Sequence, residues 1–180
     1  MKQVAIVIGH RSKKQGAYSP FINETEYSYM KKVAHYLQDI ADIYERPNTP
    51  FVSEATRIKQ LVRSVNANSY KLVISLHFNG FHDAVAHGVT CLHYITNPRT
   101  KAIASEFVSL VNENFGIKKR ALIPISSKNQ RGGIFITGVN ADAILVEPFF
   151  GSNPLDSENF RGKHQAYANT LRALINKYTR

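Results

Sequence analysis

The chain has 180 residues, 43% of them hydrophobic, with one cysteine, no tryptophan and a formal net charge of +10. That length and apolar share suffice for one core, and no Gly/Ser/Pro-rich linker divides the chain, so residues 1–180 read as a single domain. The lone Cys91 excludes an internal disulfide and a thiolate-rich zinc site, and the positive charge favours an anionic partner. No apolar run approaches membrane-spanning length, and the first one stops at His10, too short for a signal peptide; a cytoplasmic product is expected. The basic residues form short clusters such as Lys31-Lys32 and Lys118-Lys119-Arg120 without a nucleic-acid-binding motif. Anionic cell-wall or outer-membrane polymer is therefore the partner that the charge favours over nucleic acid.

Taken in order, the first strand is Val-Ala-Ile-Val-Ile-Gly-His10. Residues 24–45 place Met30, Val33, Leu37, Ile40, Ala41 and Tyr44 at amphipathic-helix spacing, which predicts one long helix. A second helix is expected over Glu54–Val65, followed by a strand ending at His77. The next strand ends near Thr96 and holds Cys91 as a small buried filler. A third helix covers Lys101–Asn114, strands end near Thr137 and at Phe149, and a last helix runs from about Ser157 to Tyr178. Strands interleaved with helices predict an α/β sandwich around a mostly parallel sheet.

Three of the apolar runs end on residues unsuited to a core: His10, His77 and Glu147. Ligands of open α/β sheets bind beyond the carboxyl ends of the strands, so these three are candidates for one cluster. Catalytic zinc is commonly held by three His or carboxylate ligands, which leaves one ligand to find. Stepping back by helical spacing from Leu37, Val33 and Met30 lands on Glu26, at the N-terminal end of the face that packs on the sheet; Glu24 points elsewhere. The competing reading of Glu26 is a capping box begun by Asn23. Glu147, beside Val146 and before Pro148-Phe149-Phe150, needs a cation or donors if buried, and would suit a general base; an ion pair with an arginine is its structural alternative. His35, His82, His87, His93 and His164 show no ligand spacing.

Ile-Gly-His10, Ser-Lys-Lys-Gln-Gly16-Ala17, Asn23-Glu-Thr-Glu26-Tyr27-Ser-Tyr29, Ser75-Leu-His77-Phe-Asn79 and Val146-Glu147-Pro-Phe149-Phe150-Gly-Ser-Asn153 with Asp156 follow one another along nearly the whole chain. This series resembles the zinc-dependent N-acetylmuramoyl-L-alanine amidases of the Amidase_3 family, most of all phage endolysin catalytic domains. The resemblance implies a three-layer sandwich with a twisted mixed sheet and helices on both faces. It implies Zn²⁺ held by His10, Glu26 and His77, with Glu147 as the catalytic base, the same four residues that the strand ends and helix face select. Asn79 and Arg131 are expected to contact substrate. The implied reaction is hydrolysis of the amide between N-acetylmuramic acid and L-alanine of the peptidoglycan stem peptide, by an endolysin that reaches the wall after membrane breach. The chain departs from the pattern at Arg11 and Ser12, where glycines often follow the first His, and at Met30, where Asn is usual. Two other classes stay open on the residues alone: a non-catalytic basic module for anionic wall polymer or nucleic acid, and a zinc carboxypeptidase or deacylase. No oligomeric state follows from the sequence, and a monomer is the simplest expectation.

Overall fold

The computed structural model describes residues 2–179. Six strands form the main sheet: β1 (Val4–Ile8), β4 (Asp42–Glu45), β5 (Leu72–Leu76), β6 (Val89–Tyr94), β7 (Lys119–Ile125) and β8 (Asp142–Glu147), in the order β4-β1-β5-β8-β6-β7. All neighbouring pairs are parallel except β6 with β8. The carboxyl ends of β1, β5 and β8 therefore share one edge, and the antiparallel β6 brings its first residues to that same edge.

Alternation along the strands splits the core in two. Ile6, Ile74, Ile144 and Cys91 face one way, onto α1 (Glu26–His35), α3 (Pro98–Phe115) and α6 (His164–Thr179). Ala5, Val73, Leu145 and Leu92 face the other way, onto α2 (Glu54–Asn66) and the single turn α4 (Gly133–Ile136). Helices thus cover both faces of the sheet, the expected three layers. Cys91 is a fully buried core residue. Among the described residues, no helix is long and apolar enough to cross a membrane.

Three boundaries differ from the sequence expectation. The helix predicted over 24–45 ends at His35, because Asp42–Glu45 instead pairs in parallel with the otherwise open edge of β1. Ile43 packs on one core and Tyr44 on the other, so a strand had passed for the end of a helical stripe. No strand ends near Thr137; the strand lies earlier, at β7, whose Pro124 is tolerated on an edge, and Phe135 and Ile136 of α4 pack as a helical turn. The last predicted helix is two, α5 (Pro154–Phe160) and α6, separated at Gly162, whose φ of +67° breaks the helix.

Candidate active site

The sheet's carboxyl edge builds the site directly. Gly9 follows β1 with its N–H donated to the Leu76 carbonyl at 2.8 Å, and a side chain there would collide with the His77 ring. His10 comes next, in the left-handed region at φ 65°, a conformation that costs a non-glycine residue roughly 1–2 kcal/mol. His77 continues β5, its N–H on the Val146 carbonyl at 3.0 Å. Glu26 is delivered by a small hairpin, β2 (Tyr18–Ser19) against β3 (Glu24–Thr25), and its own N–H is donated to the Ala17 carbonyl at 2.8 Å. The helix cap is Thr25, whose Oγ1 accepts from Ser28 N–H at 3.2 Å. With Thr25 as the cap, the Asn23 capping box does not form, and the Glu26 side chain is left to the site.

Glu26 Oε2 lies 3.0 Å from His10 Nε2, and Oε1 lies 2.6 Å from His77 Nδ1. One donor atom from each of the three residues falls within 4.8 Å of the other two. Burial pushes the Glu26 carboxyl upward, but the hydrogen bonds from His10 and His77 outweigh it and hold the group at about 2. Glu26 is thus a carboxylate throughout the neutral range. Two imidazoles and an ionised carboxylate, converging without a thiolate, are a donor set suited to a divalent metal such as zinc. Gly16 makes this convergence possible: it sits at φ +78°, and a Cβ there would lie 2.5 Å from Glu26 Oε2 and 2.6 Å from the His10 ring. Glu24 is elsewhere, paired with Lys32 at 2.8 Å and His164 at 2.9 Å.

Across the same cavity, of about 540 Å³, stands Glu147, the last residue of β8 and buried. Its Oε2 accepts from Thr90 Oγ1 at 2.5 Å, Asn79 Nδ2 at 2.8 Å and Arg131 Nη2 at 3.0 Å. Among the described residues, its Oε1 accepts only from Arg131 Nη1. The pairing with Glu147 raises the Arg131 pKa from its ordinary value. Both residues expected at the substrate, Asn79 and Arg131, therefore line the cavity but spend donors on Glu147. Sequence reading missed Thr90, which reaches Glu147 because β6 runs antiparallel and opens beside the end of β8, at the pair Thr90–Glu147. It also missed Arg46, which lines the cavity from the end of β4. His93 is buried with Nδ1 near its neighbour's carbonyl and takes no part.

The family model described as N-acetylmuramoyl-L-alanine amidase matches residues 4–177. No individually curated protein sequence matches the chain significantly. Among solved structures, the catalytic domain of the CD27L endolysin targeting Clostridia difficile superposes with a TM-score of 0.81 at 20% identity, covering 98% of each chain. An N-acetylmuramoyl-L-alanine amidase from Clostridium difficile 630 gives 0.77 at 17% identity, over 99% of this chain and 96% of that one. Cwp6 from Clostridium difficile gives 0.79 at 22% identity; this chain spans 99% of its own length but 29% of that protein's. At these identities the structural likeness is one of fold.

Proposed function

Because this chain belongs to the N-acetylmuramoyl-L-alanine amidase family and is accordingly a peptidoglycan amidase, we propose that it works as a zinc enzyme of the endolysin type. Family membership sets aside the non-catalytic binding module. One observation carries the zinc reading: His10, Glu26 and His77 converge at the carboxyl edge of the sheet, on the same cavity as Glu147. These three residues would hold the metal. A bound Zn²⁺ supplies Lewis-acid polarisation of the scissile carbonyl and lowers the pKa of the attacking water.

The chain's own residues do the rest. Oε2 of Glu147 is fixed by Asn79 and Thr90, which leaves Oε1 as the oxygen that takes the proton from water. Arg131 must release Oε1 for that step, and its side chain, 60% exposed, stands on the solvent side of the pair. Water oxygen bonds to the lactyl carbonyl carbon, the carbon–nitrogen bond breaks, and Glu147 returns its proton to the nitrogen that becomes the amino terminus of L-alanine. The charge of +10 favours recruitment to anionic wall or outer-membrane polymer, and action on the wall after membrane breach fits that recruitment.

Mass spectrometry of fragments released from purified peptidoglycan tests the reaction. Intact stem peptides with a free L-alanine amino terminus, together with glycan bearing a free lactyl carboxylate, are expected. Peptides shortened at their carboxyl end, or glycan that has lost only acetyl groups, would contradict the assignment and favour a carboxypeptidase or deacylase.

A further inference from the structure

Beside the metal-ligand cluster lies a second charged group that the reaction does not use. Arg11, Arg46 and Arg57 all converge on one acid, Glu54, in the first turn of α2. Arg11 Nη2 and Arg57 Nη1 lie 3.0 Å from Oε1, and Arg46 Nη1 lies 3.2 Å from Oε2. Each arginine side chain is no more than 13% exposed, so two of the three positive charges are held out of water without a carboxylate of their own. Glu26 is the next acid to act on Arg46, and it is committed to His10 and His77. Buried charge of one sign is costly unless a counter-charge reaches it.

The three arginines are not equally spent. Arg57 also donates to the Thr49 carbonyl at 2.6 Å, and Arg11 donates to Asn48 Oδ1 at 3.1 Å. The buried Nε atoms of Arg46 and Arg57 both lack a partner among the described residues, but Arg46 alone of the trio makes no bond there beyond the one to Glu54. Arg46 is also the member of the trio that lines the active-site cavity, together with His10 and Glu26.

We propose that Arg46, backed by Arg11 and Arg57, forms a subsite for a free carboxylate of the stem peptide, and so selects acidic over amidated peptides. This rests on the amidase reading above. A guanidinium with unspent donors, relieved of its share of Glu54 by two neighbours, is suited to a charge-assisted pair with a carboxylate and gives a carboxamide much less. The carboxylate can belong to the second residue of the peptide or to its carboxyl terminus, and the substrates below separate the two.

The test uses three synthetic muramyl peptides: the free acid, the same peptide amidated on the second residue, and the same peptide amidated at its carboxyl terminus. The zinc-loaded wild-type enzyme should show a kcat/KM about 10- to 100-fold lower on one amidated peptide than on the acid, with the loss mainly in KM. Which amide suffers identifies the carboxylate. Arg46→Gln should collapse the acid-to-amide ratio toward one, and Arg46→Lys should restore only part of it. Equal wild-type rates on all three peptides would overturn the subsite without any need for a variant. An Arg46→Gln enzyme that keeps the wild-type ratio while losing activity on every peptide would overturn it too, making the cluster structural. Failure of the wild-type enzyme to hydrolyse any of the peptides would instead sink the amidase reading, and the subsite with it.

Discussion

Replacing Glu147 with Gln should leave fold and metal in place and lower amide hydrolysis by roughly 10²- to 10⁴-fold, the usual contribution of a positioned general base. The change is nearly isosteric. The Gln carbonyl can take the place of Oε2 and keep the bonds from Thr90 and Asn79, so the buried donors stay satisfied. Its amide nitrogen then replaces Oε1, facing the Arg131 guanidinium donor to donor, and cannot accept a proton from water. Turnover of a soluble muropeptide, read beside zinc content and far-UV circular dichroism of the same sample, checks all three parts. Activity within about tenfold of wild type would remove Glu147 from the proton transfer.

Glu26→Gln should act on the metal. It removes the one carboxylate of the cluster, leaving two imidazoles and an amide oxygen, so zinc affinity should drop by at least about 100-fold, beyond what loss of a residue that only supports a ligand causes. Glu24→Gln should change affinity little, since that carboxylate serves Lys32 and His164 and points away from His10 and His77. Competition for zinc against a chromophoric chelator measures both variants. Zinc release by Glu24→Gln with retention by Glu26→Gln would reverse the ligand choice.

The parts of this site that were legible in the sequence are those fixed by strand ends and helical spacing. His10, His77 and Glu147 stand out because β-branched runs end on them, and parallel pairing of β1, β5 and β8 then brings those ends together. Glu26 is found by counting back along the buried face of α1. The same count overran the helix, because Tyr44, an inward position of a short edge strand, falls at helical spacing from Ile40 and Ala41. Thr90 could not be found from local pattern, since its place beside Glu147 depends on β6 running antiparallel to its neighbour β8. The arginine cluster depends on β4 joining the edge of β1, which sets Arg46 beside α2; no spacing along the chain encodes that meeting. Topology, not composition, decides these contacts.

Elemental analysis of protein purified without added metal tests the central claim most directly. A site made of His10, Glu26 and His77 predicts one zinc per chain, lost together with activity on chelation and recovered with it when zinc is returned. Zinc below about a tenth of an equivalent, in a preparation whose amidase activity is indifferent to chelators, would contradict it.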